Sequence, residues 1–192
     1  MAAAANNPRN RLRIIGGEWR SRMVSFADLK DIRPTPDRVR ETLFNWLQSH
    51  IVGAYCLDLF AGSGVLGFEA LSRGATSVHT LELDPQAAAA IRHNIQLLKT
   101  EHMHLLQKNA LDWLQHNPDG LQFDVVFIDP PFAAGLYEVC CQLLQEKNWL
   151  CAHALIYLES DQAPDKLKLP ADWTLLRNKR AGSVYYSLWQ LS

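Results

Sequence analysis

The chain lacks the features that would place it in a membrane or an oxidising compartment. None of its apolar runs approaches the length needed to span a bilayer, and Met1-Ala2-Ala3-Ala4-Ala5 is too short for the apolar core of a signal peptide. Its four cysteines, Cys56, Cys140, Cys141 and Cys151, show no paired spacing, and Cys56 falls in an apolar run. They read as reduced thiols of a cytoplasmic protein rather than a disulfide framework. His102 and His104 have no Cys or carboxylate cluster beside them, so no metal centre is expected. There is no internal repeat and no low-complexity tract. Net charge is only −1, which argues against a uniformly basic nucleic-acid binder. What remains is an ordinary globular composition, 48% hydrophobic and 20% charged over 192 residues, enough for one domain with a full core.

The charge is unevenly spread. Residues 1–40 carry nine Arg and Lys against four Asp and Glu, so the body that follows is net acidic. Residues 1–10 are small and polar and are expected to be disordered. Arg11-Leu12-Arg13-Ile14-Ile15 alternates basic and apolar residues before Gly16-Gly17, and Arg22-Met23-Val24-Ser25-Phe26 reads as a returning strand. Residues 11–34 are thus expected to form a β-hairpin arm and linker carrying Arg11, Arg13, Arg20 and Arg22. Such a hairpin is marginal alone and must dock on the main domain, residues 35–192.

That domain opens with a helix. Thr35 suits the N-cap, Pro36 the first helical position and Asp37 the positive end of the helix dipole, while Val39, Leu43, Trp46 and Leu47 form one apolar stripe. Arg33, Arg38 and Arg40 crowd the helix start, away from the end where a cation favours the dipole. An anionic ligand or ion pairs with Asp37 and Glu41 would each account for them. The chain then alternates strand and helix: Cys56–Phe60, Ser63–Arg73, Val78–Leu83, a helix from Pro85 to about Leu98, His104–Gln107, and a helix from Asn109 to about His116. Phe123–Ile128, a helix over about 136–146 and Leu155–Glu159 follow. The last two strands, Thr174–Lys179 and Val184–Gln190, form a hairpin. Five such alternations imply an α/β fold, a doubly wound and mostly parallel sheet with an antiparallel strand near one edge.

The first strand runs into Asp58-Leu59-Phe60-Ala61-Gly62-Ser63-Gly64-Val65-Leu66-Gly67, which satisfies G-x-G-x-x-G, and Glu82 ends the second strand. A dinucleotide would bring an anionic pyrophosphate to this turn, where Asp58 repels it. S-adenosylmethionine brings an ammonium and a sulfonium instead, and its ribose offers two hydroxyls to Glu82. Asn109 and Ala110, ending the third strand, would flank the adenine.

Asp129-Pro130-Pro131-Phe132 closes the Phe123–Ile128 strand. Two prolines stop the ladder and stiffen the exit. A carboxylate, freed carbonyls and an aromatic face at the carboxyl edge of a parallel sheet suit a flat base bearing an exocyclic amine. A carboxylate at its ordinary pKa of about 4 is too weak a base to strip that amine before attack.

With its D-L-F-A-G-S-G loop, Glu82 and D-P-P-F elbow, the chain resembles the class I S-adenosylmethionine-dependent methyltransferases, whose fold is Rossmann-like. Arg13-Ile14-Ile15-Gly16-Gly17-Glu18-Trp19-Arg20 and Arg33-Pro34-Thr35 through Arg38-Val39-Arg40-Glu41-Thr42-Leu43-Phe44-Asn45-Trp46 narrow the resemblance to the RsmD family, over about residues 11–190. The resemblance implies methyl transfer to guanine N2 of 16S ribosomal RNA, within the small subunit or its assembly intermediate. It also implies a cofactor contact set of Asp58, Phe60, Ala61, Gly62, Ser63, Gly64, Glu82, Leu83, Asn109, Ala110 and Asp129. Asp129, Pro130 and Pro131 would hold the amine and Phe132 would cover the base, with the arginines Arg11, Arg13, Arg20, Arg22, Arg33, Arg38 and Arg40 on the RNA. An adenine-N6 DNA methyltransferase, a non-catalytic nucleic-acid binder retaining the cofactor, and an NAD-dependent dehydrogenase are the alternatives.

Overall fold

The computed structural model describes residues 10–29, 34–131 and 135–192. Seven strands form the main sheet: β3 (Tyr55–Asp58), β4 (Ser77–Leu81), β5 (Met103–Leu106), β6 (Phe123–Ile128), β7 (Leu150–Ser160), β8 (Trp173–Ala181) and β9 (Val184–Leu191). Their order is β5-β4-β3-β6-β7-β9-β8. Pairing is parallel from β5 through β7, and β9 runs antiparallel between β7 and β8. The strand order reverses between β3 and β6, and that is where open α/β sheets carry their ligand crevice.

Strand periodicity divides the core into two layers. Val125 and Phe127 of β6 and Leu155 and Tyr157 of β7 face one layer, with Val126, Ile128, Ile156 and Leu158 facing the other. Helices α1 (Asp37–Trp46), α2 (Val65–Ser72) and α3 (Pro85–Leu98) cover the first face; α4 (Ala110–Leu114) and α5 (Tyr137–Glu146) cover the second. Both faces of the parallel strands are therefore buried, which is why they read as near-continuous apolar runs. Every residue of α2 is buried.

The arm forms as a short two-stranded hairpin, β1 (Arg11–Arg13) and β2 (Met23–Ser25), shorter than the sequence predicts. Ile14 and Val24 enter the first core layer. Its backbone is then fastened by polar side chains of the helices. The Ile15 amide donates to Glu69, the Trp19 amide donates to Ser72 Oγ at 2.9 Å, and Asn94 exchanges hydrogen bonds with the Ser25 amide (3.0 Å) and carbonyl (2.7 Å). The Glu18 amide reaches the Ser72 carbonyl at 2.7 Å. This approach requires Gly17: its φ is +78°, and a Cβ there would lie 1.7 Å from the Ser72 carbonyl oxygen.

One buried ion pair ties arm, α1 and α2 together. The Arg40 guanidinium and the Glu69 carboxylate are both fully buried and meet at 2.8 Å. Arg40 also donates to the Thr35 and Arg13 carbonyls and to Asp37. Arg73 contacts the second Glu69 oxygen at 3.3 Å. Thr35, read from sequence as the N-cap, sits one residue before it; Pro36 holds the cap position and no side chain caps it. Replacing Glu69 by Ala would strand a buried guanidinium. The expected loss is about 3–5 kcal/mol of unfolding free energy, read by urea denaturation.

Candidate functional site

The site stands at the carboxyl ends of β3, β4 and β6. Parallel pairing in register brings Asp58 beside Thr80 and Phe127, so the loops after the three strands leave the sheet together. The glycine loop is pinned to its neighbours by backbone bonds: the Leu59 amide to the Phe127 carbonyl (3.1 Å) and the Ala61 amide to the Leu81 carbonyl (2.9 Å). Glu82 then ties the loop to the second strand end. Its carboxylate accepts the amides of Gly62 at 2.7 Å and Asp84 at 2.8 Å, one on each oxygen. A carboxylate oxygen has a second lone pair, so both oxygens retain capacity for hydroxyl donors. Burial raises the Glu82 pKa, and these amides offset part of the rise.

Asp58 is 3% exposed, and its Oδ2 is buried without a hydrogen-bond partner. Burial, then repulsion from Glu82, pushes its pKa up to about 7 from the ordinary 3.8, against the pull of the Phe60 and Gly67 amides. A buried carboxylate oxygen with an open valence is an acceptor waiting for a cationic donor, and the ammonium of S-adenosylmethionine fits that chemistry. A pyrophosphate does not. Gly67, the third glycine of the motif, serves packing instead: a Cβ there would lie 2.8 Å from Met103 and 3.2 Å from Val78.

The other residues assigned to the cofactor fall around this pair. Leu83 is 62% exposed at the end of β4, an apolar face suited to a purine. Asn109 caps α4, its Oδ1 accepting the amides of Leu111 (2.9 Å) and Asp112 (3.2 Å), which leaves its amide group for an acceptor. Ala61, Ser63 and Ala110 are buried, and Phe60 is half-buried. An open groove of about 490 Å³ includes Asn109, but most of its lining (His116 to Asp119, Leu121, Trp149) lies toward the far end of α4, away from the strand ends.

At the end of β6, Asp129 is half-buried, Pro130 buried and Pro131 exposed. Phe132 and Arg33 lie outside the described residues. Asp129 has a pKa raised well above the carboxylate range, by burial first, then by Glu159 and Asp58. It is therefore a stronger base than its reference value suggests. Glu159, on β7, is absent from the residues read from sequence. The signal that could have found it is alternation: it shares a strand face with Tyr157, as Asp129 does with Phe127.

The arginines do not form one face. Arg40 is a correction: fully buried and committed to Glu69, Asp37 and backbone carbonyls, it is unavailable to RNA. The ion-pair explanation for it wins. Arg13 is exposed and lies 3.6 Å from Asp37 at the start of α1, and Arg38 is exposed on the same turn. Arg22 donates to the Leu97 carbonyl at the carboxyl end of α3, and Arg20 is exposed in the turn that docks on Ser72. Both helix ends lie at the sheet edge opposite the site, because the helices run antiparallel to the strands. Arg11 is exposed on β1.

No helix among the described residues is long and apolar enough to cross a membrane, and they hold no cluster of three or more metal-ligating side chains. The family described as "Conserved hypothetical protein 95" matches residues 12–190. A protein of Haemophilus influenzae named "Ribosomal RNA small subunit methyltransferase D" is 48% identical over 187 residues, covering 96% of each chain. The protein of that name from Escherichia coli K12 is 46% identical over 179 residues, covering 93% of this chain and 89% of its own. A solved structure described as the putative methyltransferase yhhF of Escherichia coli superposes with a TM-score of 0.86 at 45% identity, covering 94% and 98% of the two chains.

The raised Asp58 pKa has a stability consequence. A carboxyl whose folded pKa exceeds its unfolded one supports the fold at low pH and loses that support as pH rises toward about 7. Asp58→Asn should therefore gain on the ligand-free wild type as pH rises. The difference in unfolding free energy should widen by about 2–3 kcal/mol between pH 5 and pH 8, measured by urea denaturation.

Proposed function

The chain belongs to the RsmD family of methyltransferases, and we propose that it moves the methyl group of S-adenosylmethionine to the exocyclic N2 of a guanine in small-subunit ribosomal RNA. One observation carries the reading. Asp58, whose Oδ2 is buried without a hydrogen-bond partner, and the Asp129-Pro130-Pro131 exit end the adjacent strands β3 and β6, which supports a cation site beside an amine site. The names of the relatives supply the RNA class. The small subunit or its assembly intermediate is the substrate form, and the protein works in the cytoplasm.

When bound, the cofactor supplies an electrophilic methyl on a sulfonium leaving group. Asp58 would hold the ammonium, Glu82 the ribose hydroxyls, and Leu83 and Asn109 the adenine. Asp129 and the Pro130 carbonyl accept hydrogen bonds from the guanine amine. These bonds favour pyramidal nitrogen and direct its lone pair along the line of displacement, and that positioning is the main contribution to rate. As the N–C bond forms the nitrogen becomes cationic, and Asp129 takes the proton it sheds. Its raised basicity suits that step better than an ordinary carboxylate would. Phe132 would cover the base.

Labelled cofactor offered with small ribosomal subunits, naked RNA and DNA tests the reading directly. Label on a guanine of the small-subunit RNA is the expected outcome; label only on DNA adenine would overturn it.

Binding itself should be pH-linked. A cation beside Asp58 favours its ionised form, so affinity for S-adenosylmethionine should rise from pH 6 to pH 8, with proton release on binding near pH 6–7. Calorimetry in buffers of different ionisation enthalpy measures that release. Glu82→Ala should weaken binding by roughly 1.5–3 kcal/mol.

Asp129→Ala should abolish transfer while leaving cofactor affinity within a few-fold and the melting temperature no lower. An Asp129→Ala variant that turned over at the wild-type rate would make the elbow a purely structural turn.

A further inference from the structure

Resting on the guanine reading above, we propose that Glu159 is a second acceptor of the guanine edge, taking the ring N1–H while Asp129 takes an N2–H. The two carboxylates are strand neighbours. Parallel pairing of β6 with β7 sets Phe127 beside Tyr157 and Ile128 beside Leu158, so the next step of the ladder brings Asp129 and Glu159 level. Alternation puts Asp129 on the face of Phe127, and Glu159 on the face of Tyr157; both face the first core layer. Adjacent strands are about 4.8 Å apart, so the two side chains present a paired acceptor edge at the amine site.

Glu159 is built into that position. Its Oε1 accepts the Tyr157 hydroxyl at 2.7 Å, and Thr35, at the start of α1, also hydrogen-bonds its side chain. Both donors favour the charged form, while burial opposes it. Titratable groups around it are Asp129 from β6, Asp58 beyond it on β3, Tyr157 on its own strand and Tyr186, its register partner on β9. A lone buried carboxylate held by two hydroxyls needs no neighbour of like charge. Two of them level at an acceptor site need donors to hold apart.

Guanine supplies those donors. Its Watson–Crick edge carries N1–H and the N2 amine side by side, whereas adenine offers the bare N1 lone pair beside its amine. Against Glu159 that lone pair would face a carboxylate oxygen. Glu159 therefore decides between the two bases, a choice Asp129-Pro130-Pro131 alone leaves open.

The test uses labelled S-adenosylmethionine and small ribosomal subunits from cells lacking this methyltransferase, with kcat/KM measured across pH for wild type, Glu159→Gln and Tyr157→Phe. Glu159→Gln should lower kcat/KM roughly ten- to hundredfold, the scale of one hydrogen bond to a charged group, with cofactor affinity within about threefold. Its acid limb should move to lower pH, since Asp129 loses the neighbour that holds its proton on. Tyr157→Phe should move the limb to higher pH, since Glu159 loses a donor to its charged form. The loss of plateau kcat/KM in Glu159→Gln and the upward limb in Tyr157→Phe separate recognition from repulsion, because a Glu159 that only raises the Asp129 pKa need not itself be ionised for transfer and its Gln variant would keep the wild-type plateau. A wild-type plateau kcat/KM in Glu159→Gln, wherever its limb falls, overturns the proposal alone. A wild type that labels no guanine overturns the function reading and this proposal with it.

Discussion

The contact between Arg40 and Glu69 is the constraint on which the site depends. Arg40 donates to the Thr35 carbonyl, and the Thr35 side chain in turn hydrogen-bonds Glu159 near the end of β7. Glu69 lies in α2, the helix that grows directly out of the glycine loop. The pair therefore fixes the start of α1 against the helix that follows the glycine loop, and the Arg13 carbonyl and Ile15 amide bring the arm into the same knot. A buried ion pair contributes little net stability compared with apolar packing of equal volume. Its value here is geometric: a planar guanidinium and a carboxylate accept few relative orientations, so three segments remote in sequence are held in one arrangement.

Around that fixed frame the strand ends concentrate negative charge. Asp58, Glu82, Asp129 and Glu159 close β3, β4, β6 and β7, and burial raises the pKa of all four, with mutual repulsion adding to Asp58 and Asp129. Such an arrangement is frustrated without ligands and relieved by them. In the proposed function, a sulfonium with an ammonium on one side and an N–H edge on the other would supply what these carboxylates lack. The crevice is thus selective by its deficit, and an anionic cofactor would deepen the repulsion.

Much of this was legible in the chain. Asp58, Glu82 and Asp129 each end an apolar run and precede a turn signal, and strand ends gather at one edge of a parallel sheet whatever its details. Glu159 was hidden because its neighbour Asp129 is thirty residues away and only the β6–β7 register joins them. Arg40 was misplaced for a different reason. Charge alone suggested an anion, yet Arg40, Leu43, Phe44 and Leu47 share the i, i+3, i+4, i+7 spacing of the buried stripe, and the periodicity was the better guide. The arm's hairpin was legible, with β1 and β2 inside the two runs read as strands, but its docking was not, since that rests on side chains of α2 and α3 far along the chain.

The arm's attachments also set an order of events. Gly16, Glu18 and Trp19 bond to Ser72, 53 to 56 positions downstream, and Ser25 bonds to Asn94, 69 positions downstream. During synthesis the hairpin emerges well before α2 and α3 exist to receive it, and a hairpin of three-residue strands has no stability of its own. It must wait as open chain until the cofactor loop and both following helices are made. An early segment of the chain is thus among the last to lock.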